Sequence, residues 1–439
     1  MTGEGETQRA TPPRPTAGLA RTALLLLPLQ AVFRGGEALL PLFLAAWFGR
    51  SAETDVYYLL AAYFVFAGAI VTGAFQDSAV VPVLIEIESL SPDRFSETAG
   101  ALLGHTLLIG GLAAGAMGGI AGTTALFVAH LRGLALELVG IMAVGIVAAA
   151  VRSFYVGLLN ARGLFQAHAI GSGLGTGVAF AILYGGRASG VRIVPVGLLA
   201  GEVVAILVLS TLARRALGAR LVPSLARPEP VRRIFALVRL EVTGTLITRI
   251  NPVIDQLMAG LAGVLGGGTI LRYAGDVASL PTSILQATLF PVLLTRLARE
   301  VRHPAQFAAT TRRTLVAVVA ILLALSGAMV AVRLPLCELL FLHGQMDRPG
   351  VARIAAVLPW ALAGAAPFGA LLVLARAHVA QQNSRIMPSM GVLNSVLNAV
   401  FNLVFVGFLG LSGIALSTSL TYLVVAVVFW VRLPRSARA

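Results

Sequence analysis

Twelve apolar runs, each about 20 residues or longer and separated by clusters of Gly, Pro and Arg, constrain this chain more than any other feature. A run of that length matches the hydrocarbon thickness of a bilayer, where only a helix or a closed barrel satisfies its own backbone. The runs lie near 22–48, 56–84, 98–128, 134–160, 165–185, 191–213, 234–262, 268–296, 312–341, 351–379, 386–408 and 411–432. They predict an all-α polytopic membrane protein.

Charge distribution orients these spans. Only 12% of residues are charged, against roughly 25% in soluble domains. The 33 basic residues are all Arg, and the net charge is +14, with no soluble domain to present a basic face to nucleic acid. With the N-terminus inside, the inward loops hold Arg214, Arg215, Arg220, Arg227, Arg232 and Arg233, then Arg296, Arg299, Arg302, Arg312 and Arg313, then Arg376 and Arg385. The opposite loops hold Arg50, Arg132, Arg187, Arg192 and a few around Arg348, so both termini are predicted cytoplasmic. The connection with Glu86, Glu88, Asp93, Arg94 and Glu97 is acidic, which counts little in this rule. A single cysteine, Cys337, excludes internal disulfides and thiolate metal sites and reads as apolar filler. Residues 1–21 read as a disordered tail, and the apolar run after them as a retained helix.

The chain divides in two. Residues 214–233, rich in Arg and containing Pro223, Pro228 and Pro230, separate six spans in 22–213 from six in 234–432, with a short tail at 433–439. Val80–Leu84 (VVPVL) echoes Leu289–Leu293 (LFPVL), and Leu158–Ile170 echoes Leu374–Pro388, at matching places in each half. Six spans per half give both halves the same orientation, an arrangement found in transporters.

Charge inside these spans is costly, roughly 2.5 to 3.5 kcal/mol per residue on insertion scales. Arg34 and Glu37 lie in the first span with Pro41; Arg249, Asn251, Asp255 and Gln256 lie in the seventh, where Pro252 predicts a kink. Arg272, Asp276 and Gln286 lie in the eighth around Pro281, and Gln76 and Asp77 close the second. The pairs Arg34/Glu37 and Arg249/Asp255 therefore occupy corresponding places in the halves and point to a shared polar cavity. Two structural readings stand beside a substrate role. Charges such as Arg34 and Asp276 form interhelical ion pairs in one, and Asp55, Asp77 and Arg272 snorkel to the interface in the other. Asn394, Asn398 and Asn402 form a polar stripe on one helix face, read first as interhelical hydrogen bonding. Glu202 and Glu241 read as isolated acids, each either structural or a coupling-ion site.

No enzyme motif assembles. The six histidines, including His105 and His168, are scattered, and Gly266, Gly267 and Gly268 have no following Lys-Ser/Thr to hold phosphate. Neither a metal nor a cofactor is expected. Energy for transport then comes from the membrane potential, a cation gradient or the substrate's own gradient.

The segment from Phe33 through Phe48-Gly49, Thr54-Asp55 and Val81–Leu84 resembles the start of the MurJ (MviN) proteins, lipid II flippases of the MOP exporter superfamily. The resemblance continues in Ile250–Gln256 (INPVIDQ), Arg272–Pro281 (RYAGDVASLP) and Gly410–Val424 (GLSGIALSTSLTYLV). It implies two six-helix bundles around a central cationic cavity that receives an undecaprenyl-diphosphate-linked glycan and passes it outward by alternating access. The family's helix-one arginine matches Arg34, and its aspartate after the first outward loop matches Asp55. Leu40 stands at the second helix-one arginine, Gly68 and Ala69 at the helix-two arginine pair, and Asp276 at the helix-eight arginine. Arg249 and Arg272 are the residues expected to supply replacement positive charge. Twelve spans, without two further C-terminal helices, are closer to the polysaccharide-repeat flippases of the same superfamily.

The expected function is a lipid-linked oligosaccharide flippase of the bacterial inner membrane, with lipid II as cargo. Cell-wall or polysaccharide synthesis proteins are its further expected partners. The expected cavity residues are Arg34, Glu37, Asp55, Arg249, Asn251, Asp255, Arg272 and Asp276. The alternatives are an O-antigen or exopolysaccharide flippase, a cation-coupled drug exporter like the MATE proteins, and a membrane scaffold without transport.

Overall fold

The computed structural model describes residues 36, 39–73, 80–90, 94–127, 131–218, 220–236, 249–383 and 386–434. Arg34, Glu37, Gln76, Asp77 and Glu241 lie outside these residues. The described part is built of helices. In the first half these are α1 (Leu39–Phe48), α2 (Ala52–Gly73), α3 (Val80–Leu90), α4 (Phe95–Leu126), α5 (Arg132–Ala161), α6 (Gln166–Gly186) and α7 (Ile193–Leu217). A short helix α8 at 229–236 follows a strap without regular structure at 221–228. The second half contains α9 (Asn251–Leu261), α10 (Gly267–Glu300), α11 (Pro304–Ala331), α12 (Arg333–Phe341), α13 (Arg348–Leu362), α14 (Ala365–Ala380), α15 (Ile386–Leu409) and α16 (Leu411–Arg432).

Nine spans among the described residues are long and apolar enough to cross a membrane. The 34-residue α10 carries Arg272 and Asp276 near its start and Arg296, Arg299 and Glu300 at its end, with no charged residue at 277–295. At 1.5 Å per residue it is about 50 Å long, ample to span a bilayer. The chain is an all-α polytopic membrane protein. Helix boundaries follow the apolar runs, with three departures. The seventh run has a bend at Ile250, and α9 begins at Asn251 with Pro252 in its first turn, so the proline starts a helix here instead of kinking its middle. The ninth run divides into α11 and α12.

The tenth run divides into α13 and α14, and the cause is local. At the break Gly364 N–H turns back to Ala361 O, leaving the carbonyl of Trp360 without its helical donor. Ser419 Oγ of α16 donates to that carbonyl at 2.6 Å. A side chain from a neighbouring helix thus satisfies the freed backbone group, which is what allows such a break inside a membrane.

Small residues set the packing within the first half. A Cβ at Gly175 would lie 2.5 Å from the carbonyl of Gly201, and one at Gly201 would lie 2.6 Å from the carbonyl of Gly175. The backbones of α6 and α7 therefore touch, as in small-residue helix pairs of membrane proteins. The halves meet chiefly where α2 packs on α9 and α10.

The apolar cores are distributed unequally. One core is continuous across both halves and takes Ile270, Tyr273, Val277, Phe341, Val351 and Ile354 from the second half, toward the end of the bundle that carries Arg50. Tyr58 and Tyr273 meet edge to face there at 5.6 Å, and Tyr273 stacks on Phe341 at 5.2 Å. Toward the other end of α10, Phe290, Leu293 and Leu297 pack with Phe307, Val373 and Ala377 in a core drawn from the second half alone. Among the described residues, burial thus joins the halves at the Arg50 end, while the core at the other end of α10 is drawn from the second half.

Candidate functional site

A cavity of about 540 Å³ lies between the halves. α1 and α2 line it with Leu40, Pro41, Leu44, Tyr57, Tyr58, Ala61 and Val65, and the second half faces them with residues of α9, α10, α14 and α16. On α10 the lining residues Arg272, Asp276 and Ser279 recur at helical spacing, so one face of that helix forms the polar wall. Phe368 and Tyr422, with ring centroids 4.7 Å apart, form an apolar wall.

Among the described residues three charged groups line the cavity, Asp255, Arg272 and Asp276, for a formal sum of minus one. Arg272 Nε lies 3.0 Å from Asp276 Oδ1 and 3.0 Å from Oδ2. This pair is made one turn along a single helix, so Asp276 is not bound to another helix and Arg272 does not snorkel away. Asp255 takes 2.7 Å and 3.2 Å hydrogen bonds from Asn402 Nδ2 and Thr418 Oγ1. Asn402 Nδ2 also reaches Asn398 Oδ1 at 3.2 Å, and Asn398 Nδ2 donates to Thr418 at 3.1 Å. The side-chain oxygens of Asn251, Asn394 and Asn402 are buried without a hydrogen-bond partner among the described residues. A carboxylate thus sits among neutral amide and hydroxyl donors, with the unpartnered oxygens of Asn394 and Asn402 on the same stripe and that of Asn251 one turn before it on α9.

Other expected site residues fall elsewhere. Arg249 is exposed and not part of the cavity lining, so the expected Arg249/Asp255 pair does not form. Asn251 is buried one turn before Asp255. Asp55 accepts hydrogen bonds from Thr269 N and Thr269 Oγ1, both at 2.9 Å, capping the N-terminus of α10 from the other half of the chain. That contact replaces the snorkelling expected for Asp55. Glu202 is not isolated: Arg152 Nε donates to its Oε2 at 2.6 Å, with 17% and 26% side-chain exposure. A buried partner of this kind fixes α5 to α7 and leaves no vacant carboxylate for an ion.

At the Arg50 end side chains and backbone tie the two halves together. Arg50 donates from Nε and Nη2 to the two carboxylate oxygens of Asp347, each at 2.8 Å, and Asp347 also caps α13 through Gly350 N. Hydrogen bonding from Arg50 holds the Asp347 carboxyl below its ordinary range. Gln345 N donates to Ala46 O at 2.8 Å beside it. At the opposite end Arg162 pairs with Glu88, and Arg233 of α8 with Glu86. Among the described residues no cluster of His, Cys, Asp and Glu has the makings of a metal centre.

The comparisons with known proteins agree with this architecture. A family model described as lipid II flippase MurJ matches residues 44–439. No curated protein matches the chain in sequence. Among solved structures, lipid II flippase MurJ in an inward closed conformation superimposes with a TM-score of 0.75 at 16% identity, covering 93% of this chain and 87% of the other. A multidrug resistance MATE family transporter of the MOP superfamily, in an inward-facing conformation, gives 0.72 at 14% identity, with 92% and 93% coverage. A MATE protein in a bent conformation gives 0.62 at 13%, with 94% of each chain covered.

Proposed function

The chain belongs to the lipid II flippase MurJ family, and from that premise we propose that it carries a lipid-linked peptidoglycan precursor across the bacterial inner membrane by alternating access. The observation that carries the reading is the cavity between halves that, among the described residues, share an apolar core at one end and not at the other. A site reached from one side at a time is what alternating access requires. The end with Arg214, Arg215, Arg220, Arg227, Arg232 and Arg233 is the cytoplasmic one by the positive-inside rule, so the Arg50 end faces outward and the termini lie inside. The two bundles are the spans of 22–213 and 234–432, joined by the linker at 214–233.

Coupling falls on Asp255 better than on Glu202, because Asp255 is held by neutral partners, the Asn402 amide N–H and the Thr418 hydroxyl, and Glu202 is already neutralised by Arg152. A monovalent cation or a proton at Asp255 would be felt by α9, α15 and α16 together. A second reading, a cation-coupled exporter of cationic compounds, is favoured by the formal negative sum of the lining.

Translocation of fluorescent lipid II in proteoliposomes separates the two. Flippase function predicts precursor transport that is cut tenfold or more in Arg272→Ala; efflux of a cationic dye with no lipid II transport would establish the exporter instead. Depletion in cells should cause the precursor to accumulate on the cytoplasmic side.

A further inference from the structure

Arg272 and Asp276 form the most polar part of the cavity wall, and their geometry leaves half of it unused. Arg272 engages Asp276 through Nε alone, and its two Nη groups have no hydrogen-bond partner among the described residues. The pair is also open, with 46% and 29% of the side chains exposed toward the cavity. An ion pair so exposed contributes little to stability, roughly 0 to 1 kcal/mol, so holding α10 together is a weak account of it.

The charges themselves restrict what fits. A lone anion approaching Arg272 also meets Asp276 one turn away, and Asp255 adds a second negative charge to the lining. A lone cation approaching Asp276 meets Arg272. A group carrying an ammonium and a carboxylate on one carbon satisfies both: its carboxylate takes the free Nη edge in a two-point contact, and its ammonium takes the Asp276 oxygens. The Cβ atoms of residues one helical turn apart are about 5 to 6 Å apart, which suits one small zwitterion and not two separate ions. In the same lining, Phe368 and Tyr422 offer an apolar surface for the aliphatic chain bearing it.

We propose that Arg272 and Asp276 form a subsite for a free aminocarboxylate, so that the cargo is recognised through a zwitterionic amino-acid end on its peptide as well as through its lipid-linked glycan. This rests on the flippase reading and narrows it to precursors that carry such a peptide.

Three synthetic short-chain precursors, identical except for the third peptide residue, test the subsite. One carries diaminopimelate, with a terminal aminocarboxylate; one carries lysine, with the amine alone; one carries norleucine, with neither. Binding to the full-length protein in nanodiscs is expected to be at least tenfold tighter for the first than for the third, with lysine between. Asp276→Asn should bring lysine down to norleucine, Arg272→Gln should bring diaminopimelate down to lysine, and Asp276→Glu should keep the wild-type order. Equal affinity of the wild-type protein for all three overturns the subsite while leaving the flippase reading intact, and this needs no variant to fold. Failure to bind any of the three overturns both.

Discussion

Arg50 and Asp347 are 297 positions apart and meet through two hydrogen bonds of 2.8 Å, one to each carboxylate oxygen. The contact ties the loop between α1 and α2 to the start of α13, hence one half of the protein to the other. It lies on the side of the cavity where the shared core already joins the halves. Opening this end must break it.

Acid should loosen that tie. The Asp347 carboxyl is held below its ordinary value by Arg50, so its contribution is complete above the unfolded value of about 3.9 and is lost as pH falls through the lower folded value. Because Asp347 is 47% exposed, screening leaves about 0.5 kcal/mol. In right-side-out vesicles, the labelling rate of Ala61→Cys in a Cys337→Ala background by an impermeant maleimide, divided by that of a freely exposed cysteine at the same pH to cancel the thiolate dependence, should be constant from pH 7 to 5 and rise below pH 4. The rate in Asp347→Asn should be raised throughout and lack the acid step. An unchanged rate in Asp347→Asn would mean that the pair does not hold this end shut.

Removing Asn402 should be felt at Asp255. Asn402→Ala takes away the 2.7 Å donor and leaves a buried carboxylate with Thr418 and Asn398 as its remaining partners, a loss of about 1 to 3 kcal/mol. Thermal unfolding in detergent should show a lower midpoint, and a shift on adding sodium or on lowering pH should shrink. A variant as stable and as ion-responsive as the wild type would remove Asn402 from the coupling group.

Glu202 offers the contrary expectation. Glu202→Gln leaves Arg152 in a partly buried site without its partner and should destabilise by about 2 to 3 kcal/mol. The double variant Arg152→Leu/Glu202→Leu should recover much of that and keep its ion response. Loss of ion response in a well-folded double variant would return Glu202 to the coupling mechanism.

The strap has its own test. A Cβ on Gly104 would lie 2.0 Å from the carbonyl oxygen of Ser224, whereas one on Gly111, further along α4, meets nothing within 4 Å. Gly104→Ala should therefore push the strap off α4, with a stability loss of about 1 to 3 kcal/mol. Gly111→Ala should be neutral or stabilising by up to about 1 kcal/mol. Limited proteolysis within 221–228 reads the difference directly, and equal cleavage of both variants would contradict the contact.

The sequence made these helices legible because lipid imposes one length scale on every span. Pairing was harder to read. Asp255 seemed to belong with Arg249, six residues away, yet its donors come from Asn402 and Thr418, 147 and 163 residues away. Glu202 looked isolated because Arg152 lies 50 positions earlier on another helix. In each case the partner is set by which helices pack together, which hydropathy does not encode. The stripe of Asn394, Asn398 and Asn402 did carry a signal, since its spacing placed three amides on one face; Thr418, within an unremarkable Ser-Thr-Ser run, carried none.

The interruption between α13 and α14 divides a stretch of 33 residues into two stiff rods that share a single elbow. The outer rod begins at the Arg50 contact, while Val373 and Ala377 of the inner rod belong to the core confined to the second half. Swinging the outer rod away can release the Arg50 end without unpacking the inner rod. The energy of that swing is then concentrated at a joint whose stop is one hydroxyl on α16, and shortening or removing Ser419 would change how freely the transporter bends more than how tightly it folds.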